Sequence, residues 1–167
     1  CWSPITRAEI PKVKQKTWPR GDVDHFILSK LEAKGLAPAA PADRHNWIRR
    51  VTQDITGLPP SRSEVESFVA DTSDDAYEKV VDRLLASPRY GEHWAKHWMD
   101  LVRYAETKAY ETDYTMPYVY RYRDYLIRAM NIDVPYDQFV REAVAGDLLE
   151  KPRRNPKDDS NESIIGP

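Results

Sequence analysis

Apolar residues recur at every third or fourth position along most of the chain, the spacing that places side chains on one face of a helix. The two longest stripes run from Tyr77 to Leu85 and from Trp94 to Ala105. No segment alternates apolar and polar residues over the length of a strand. The pattern therefore predicts an all-α fold, an irregular multi-helix domain whose core is built by the two helices that carry these stripes.

Capping and breaking residues indicate where the helices begin and end. Ser61 followed three residues later by Glu64 is a capping box, and Gly35 and Gly57 stand where a left-handed residue ends a helix. Residues 107–118 lack periodicity and are expected to form a loop. The predicted helices run from Asp24 to Gly35, from about Trp47 to Gly57, from Ser61 to about Ala70 and from Ser73 or Asp74 to the break at Ser87-Pro88. The later ones carry the stripe from Trp94 to about Glu106, and then run from about Val119 to Met130 and from about Asp137 to Leu149.

The length of 167 residues is that of one domain, in which we expect three parts. An extended, proline-containing arm covers 1–21, the helical core covers 22–149, and a polar, proline-broken tail covers 150–167. The segment from Pro38 to Pro41 is expected to be a stiff connector. Because no initiator Met opens the chain, we expect a fragment of a longer polypeptide. Cys1 is then either an internal residue or the processed terminus of a lipoprotein.

Composition excludes several classes of function. With 41% hydrophobic and 31% charged residues the chain is too apolar for intrinsic disorder, and its net charge of -2 gives no general attraction to nucleic acid. No apolar run approaches the roughly 20 residues of a spanning helix, so membrane insertion is not expected. A single Cys cannot supply a Cys-x-x-Cys-His attachment motif, so we expect no haem and no other cofactor in this chain.

His93 and His97 are the candidates for a metal site. They lie four residues apart on one predicted helix, a spacing at which two imidazoles can reach one metal ion. No third ligand is marked, and Trp94 stands where a metalloprotease helix would carry Glu. We therefore expect no metal, and two histidines that flank the Trp94 and Trp98 stripe.

Acid–base chemistry has its candidates at the end of the same predicted helix and in the loop after it. These are His97, Arg103, Glu106, Glu111 and Asp113. Carboxylates there could act as general acid and base if their surroundings separate their pKa values. The alternative is a solvated, salt-bridged loop with no catalytic role.

Tyr and Arg alternate at the start of the next predicted helix, which suits stacking on a partner or a ligand. The candidate binding residues are Tyr118, Tyr120, Arg121, Arg123 and Asp124. The alternative is that the tyrosines fill the core and the arginines pair with carboxylates. We also predict that Arg103 and Glu106 bond to at least one of Arg121, Arg123 or Asp124 in a largely buried network.

Several phrases of the sequence resemble one known family, the planctomycete cytochrome-associated helical domain, whose function is unknown. The resemblance extends from about Trp2 to Gly166. The phrases that carry it are Asp24-His25-Phe26-Ile27-Leu28, Thr56-Gly57-Leu58-Pro59-Pro60, Leu84 to Glu92, His97 to Thr107, Arg121-Tyr122-Arg123-Asp124-Tyr125, Ala145 to Leu149 and Asn161 to Gly166.

The resemblance implies context and no reaction. Similar domains belong to large exported proteins that often carry a c-type cytochrome-like domain, which implies an extracytoplasmic location with haem on a separate domain. Our leading hypothesis is an interaction or assembly module whose partners are neighbouring domains of the same polypeptide. It would dock through the arm and the Tyr/Arg helix. The alternative is an enzyme, acting on carbohydrate, that uses the carboxylate, Arg and His cluster. A shared deep pocket would favour the enzyme, and an exposed aromatic surface would favour docking.

Overall fold

The computed structural model describes residues 4, 6–108 and 113–166. These residues form seven α-helices, two short 3-10 turns and two isolated bridges, with no strand among them, which confirms the all-α prediction. No helix in this part of the chain is long and apolar enough to cross a membrane. The helices are α1 (Asp22–Ala33), α2 (Arg44–Thr56), α3 (Arg62–Ala70), α4 (Ala76–Leu85), α5 (Pro88–Leu101), α6 (Tyr120–Asn131) and α7 (Tyr136–Ala145).

The chain separates into two compact units, residues 1–42 and 43–167. The boundary falls just after the connector predicted at Pro38–Pro41. The single-domain organisation stays a prediction.

In the first unit the arm is bonded to α1. The backbone N–H groups of Lys14 and Gln15 donate to the Glu32 carboxylate at 3.0 Å and lower its pKa. Helix α1 begins earlier than predicted, because Gly21 and not Asp24 is its N-cap residue. The Asp24 carboxylate accepts a hydrogen bond from the Gly21 N–H at 3.2 Å, so Asp24 caps the free N–H group that precedes α1.

The second unit opens with three helices whose ends follow local signals. Asp43 caps α2 by accepting from the Asn46 N–H, and Gly57 ends it with φ of 74°. Ser61 and Glu64 form the predicted capping box of α3. Helices α2, α3 and α4 enclose one hydrophobic cluster of buried residues. Its members are Ile48, Phe68, Ala76, Val80 and Leu84.

A second cluster forms where α5, α6 and α7 pack together. Its buried members are Ala95, Tyr125, Leu126, Ala129 and Phe139. The stripes of α4 and α5 therefore enter different clusters, and the prediction that these two helices together build one core is wrong. Periodicity identifies the buried face of a helix, but it does not identify the neighbour that covers that face.

Helices α5 and α6 approach closely at Gly91. A Cβ atom built there would lie 2.4 Å from the Ile127 carbonyl oxygen of α6. The Gly91 N–H donates to the Asn131 side chain at 2.8 Å, and Asn131 donates in turn to the Pro88 carbonyl at 3.2 Å. This glycine is therefore needed for the contact between the two helices.

Two helices end earlier than their apolar patterns predict. Helix α5 stops at Leu101 instead of Glu106, with Arg103 left-handed and the Tyr104 N–H donating to the Met99 carbonyl at 2.9 Å. This is a Schellman end without the glycine that would announce it. Helix α7 stops at Ala145 instead of Leu149 and passes into the 3-10 turn Gly146–Leu148.

Candidate functional site

A loop connects α5 to α6, and its two arms are tied together. Thr107 and Thr115 form an antiparallel bridge, and the Met116 N–H donates to the Glu106 carbonyl at 2.9 Å. The loop is bracketed by two non-glycine residues of positive φ, Arg103 at 57° and Tyr118 at 67°. Such a conformation costs about 1–2 kcal/mol per residue. Strain of this kind concentrates at functional sites.

Glu106 connects the loop to helix α6 through an ion pair with Arg123. Arg123 also contacts the Asp124 carboxylate at 3.3 Å, and the Tyr104 hydroxyl donates to Glu106 at 3.0 Å. The two carboxylates raise the pKa of Arg123 against the opposing effect of burial. Burial together with the bond to Glu106 raises the pKa of Tyr104, so this hydroxyl stays protonated at neutral pH. These contacts fix the geometry of the loop relative to α6.

Only part of the predicted network forms, because Glu106 is paired with Arg123 but Arg103 does not join them. The prediction that the network is largely buried is wrong. Arg103 makes no side-chain hydrogen bond or ion pair with any described residue. Its left-handed backbone turns the chain at the end of α5. The side chains of Arg123 and Glu106 are 38% and 47% exposed, so the pair remains accessible to solvent. An ion pair at such exposure contributes at most about 1 kcal/mol.

Exposed aromatic and cationic side chains are concentrated in the segment that leads into α6. Tyr114, Tyr118 and Tyr120 are 51%, 65% and 45% exposed. Lys108 Nζ lies 4.8 Å from the centroid of the Tyr114 ring, and the Arg121 guanidinium carbon lies 5.0 Å from the Tyr118 centroid. We refer to these five residues as the Tyr/Arg surface. They offer aromatic faces and positive charge to solvent, and no described element covers them.

The other tyrosines of this helix are part of the core, as the alternative interpretation predicted. Tyr122 accepts a hydrogen bond from Trp98 Nε1 at 3.1 Å, and Tyr125 is fully buried against Phe139. Helix α6 therefore separates its aromatic residues between the core and the Tyr/Arg surface.

His93 and His97 lie beside each other on α5, with ring centroids 6.0 Å apart. Burial and the nearby Lys96 lower the pKa of His93, whose ring is placed directly over Gly57. Among the described residues no group of three His, Cys, Asp or Glu side chains is arranged to hold a metal ion. A structural role for His93, as cover for the end of α2, follows from its position.

The catalytic candidates do not share a described cavity. Glu111 lies outside the described residues, and Asp113 is exposed on the loop. Cavities of about 330, 250 and 350 Å³ are lined by other residues and include none of His97, Arg103, Glu106 or Arg123. None of these three cavities therefore brings the catalytic candidates together.

A buried cluster of charged side chains joins α7 to the tail and was not predicted from the sequence. Glu142 of α7 accepts two hydrogen bonds from Arg153 of the tail, at 3.1 and 2.8 Å, and a third from the Tyr125 hydroxyl at 2.9 Å. Glu162 is paired with Arg128 at 2.8 Å and lies 3.5 Å from Arg153. One signal was available, because Glu142 follows Phe139 by three positions on the apolar face of its helix. A carboxylate there needs a buried partner.

One comparison with known proteins gave a match. The sequence model of the family PSCyt2, described as a protein of unknown function (DUF1549), matches residues 22–164. No curated protein and no solved structure matches the chain.

Proposed function

The chain belongs to the PSCyt2 family of unknown function, and we propose that it is an interaction module that docks a neighbouring domain through the Tyr/Arg surface. The family match confirms the predicted membership of a domain family of unknown function. The planctomycete origin, the cytochrome association and the assembly role remain proposals.

The observation that carries this proposal is the exposure of the Tyr/Arg surface, on a loop whose two arms are bonded to each other. Tyr and Arg are the residue types that contribute most to binding at protein interfaces. Such a surface loses little conformational entropy on binding when its backbone is already held, and the Thr107–Thr115 bridge and the Glu106–Arg123 pair supply that support.

Charge indicates what kind of partner would fit. Lys108 and Arg121 each lie over a tyrosine ring, and Arg103 at the start of the loop has no carboxylate partner among the described residues. Glu106 and Asp124 are both engaged by Arg123. The five residues of the Tyr/Arg surface therefore carry two positive charges and no carboxylate, and a partner with an acidic patch is complementary to them.

We propose as partner another domain of the same polypeptide, in keeping with the c-type cytochrome-like domain that the family resemblance implies. Haem would then be carried by that domain, with no cofactor in this chain. An extracytoplasmic location belongs to the same proposal.

Titration of this chain with the separately purified neighbouring domain of its parent polypeptide, followed by calorimetry, tests the proposal. We expect Tyr118→Ala and Arg121→Ala each to weaken binding of the neighbouring domain by at least tenfold, because each removes a side chain of the Tyr/Arg surface that would contact this partner. Leu148→Ala is the control, since Leu148 is 77% exposed outside this segment. Equal affinities for all three variants would refute the proposal.

Glu106→Gln separates a binding role from a structural one. The Glu106–Arg123 pair is half exposed, so its loss should change the free energy of unfolding by less than about 1 kcal/mol. If the loop geometry matters for docking, Glu106→Gln lowers the affinity for the neighbouring domain and leaves the thermal midpoint of unfolding unchanged. A lower midpoint with unchanged affinity would assign the pair to stability alone.

A further inference from the structure

A separate cavity opens between α5, the end of α6 and the start of α7. Its volume is about 350 Å³, and its lining includes Trp98, Met130, Asp133, Tyr136 and Phe139. Three of these side chains are aromatic. Cavities that hold small ligands begin at roughly 300 Å³ and combine apolar walls with a few placed polar groups. This one has the size and composition for a compact ligand.

Asp133 is the charged residue in that lining. It is left-handed, with φ of 50°, because it ends α6 in the manner of a C-terminal glycine. Its carboxylate has no hydrogen bond or ion pair with any described residue, whereas Asp137, one turn further on, is paired with Arg141 at 3.1 Å. Asp133 and Tyr136 are exposed, so Asp133 brings one negative charge without a described partner to the open side of this cavity.

The helix ends around the cavity do not cancel this charge. Asp133 lies between the C-terminal end of α6, which carries a partial negative charge, and the N-terminal end of α7, which carries a partial positive one. These two contributions oppose each other, so the full charge of Asp133 decides the sign of the field.

We propose that this cavity binds an alkylammonium group. Trp98, Tyr136 and Phe139 line it together with the Asp133 carboxylate, and aromatic rings attract cations over distances of up to about 6 Å from the ring centroid. A cation in the cavity would therefore lie among aromatic side chains, and the Asp133 carboxylate offers the opposite charge. The apolar body of the ligand packs against Met130 and Phe139, where a strongly hydrated metal cation would gain nothing.

The alkylammonium group belongs either to a free amine or to the side chain of a lysine on another protein. The cavity shares no lining residue with the Tyr/Arg surface, so this proposal stands apart from the proposed docking function. Failure of one therefore leaves the other intact.

Binding is measured by following ring and methyl resonances of the whole chain during titration with tetramethylammonium, n-pentylammonium and a blocked Gly-Lys-Gly peptide. Neutral 1-pentanol is the control ligand, matched to n-pentylammonium in shape. We expect saturable shifts with n-pentylammonium and at least tenfold weaker binding of pentanol. Shifts with the blocked peptide as well would identify a lysine side chain as a source, and their absence would identify a free amine.

Asp133→Asn is the decisive variant, because Asn keeps the left-handed backbone and removes only the charge. Asp133→Asn should weaken the binding of n-pentylammonium by roughly tenfold and leave the binding of pentanol unchanged. Asp137→Asn should change the affinity for neither ligand. A Trp98→Phe variant changes one ring of the cavity lining and keeps that position apolar. If the ligand-induced resonance shifts come from the cavity, they should change in this variant. Equal binding of the amine and pentanol, or no effect of Asp133→Asn, would overturn the proposal.

Discussion

Loss of Arg153 should be costly, because this residue holds two buried carboxylates in place. It joins the tail to α7 by donating twice to Glu142, it approaches Glu162 at 3.5 Å, and its guanidinium lies 5.4 Å from the centroid of the Tyr125 ring. Both carboxylates are 0% exposed. Arg153→Met keeps a long apolar side chain and removes every one of these charge contacts.

The expected cost follows from what the two carboxylates retain. Glu142 keeps only neutral donors, the Tyr125 hydroxyl and the Gln138 amide, and Glu162 keeps Arg128. Removing one partner of a buried ion pair costs about 3–5 kcal/mol. In a chain of this size that corresponds to a fall in the thermal midpoint of about 6–20 °C.

The loss should depend on pH in a definite direction. Burial alone would raise the pKa of Glu142, but the bonds from Arg153, Gln138 and Tyr125 outweigh it and hold the pKa below its usual value. Glu142 therefore stabilises the native chain above the unfolded pKa of about 4.3, and this stabilisation fades as the pH falls through the native pKa. In Arg153→Met only the neutral Gln138 and Tyr125 donors oppose burial, so we expect the pKa of Glu142 to rise above the unfolded value, which destabilises the fold at neutral pH and relaxes on protonation. The difference between the two proteins should shrink from pH 7 towards about pH 4.5.

Urea unfolding followed by tryptophan fluorescence at both pH values measures this difference. Arg154→Met is the matched control, because the Arg154 side chain is exposed and, among the described residues, bonds only to Asp159, at 3.7 Å between charges and 2.9 Å to its carbonyl. Its effect should stay within about 0.5 kcal/mol. If Arg153→Met costs no more than this control, or if its cost does not fall with pH, the assignment of a buried charge cluster is wrong.

Two further predictions concern α5. Gly91→Ala should destabilise the chain by about 1–3 kcal/mol, although Ala favours helices, because the new methyl group would press on the backbone of α6. An unchanged or raised thermal midpoint would contradict this close approach. Elemental analysis of the purified chain should find no stoichiometric zinc, since His93 and His97 have no third ligand among the described residues. One equivalent of zinc that is lost in a His93→Ala, His97→Ala double variant would refute this.

Local chemistry determined much of the fold at the level of the sequence alone. Ser61 with Glu64, and Gly57 with its left-handed backbone, specify helix ends through bonds to their own neighbours, and the structure places these ends as predicted. The all-α class follows for the same reason, because amphipathic periodicity is a property of contiguous residues. The Tyr/Arg segment was likewise found from sequence, since its composition marks it wherever it folds.

Contacts between distant residues decided the rest. Helix α5 ends at Leu101 because a non-glycine residue turns left-handed there, a conformation that no local pattern indicates. The tail, predicted to be polar, is buried at Glu162, whose charge is paired with Arg128 and Arg153, and at Ser163, whose hydroxyl accepts a hydrogen bond from the Arg153 N–H. In the same way the cavity beside Asp133 exists only where three helices meet. A pattern read along one chain identifies which face of each element is apolar, but the partner of that face, and the charge left without a partner, are properties of the packed structure.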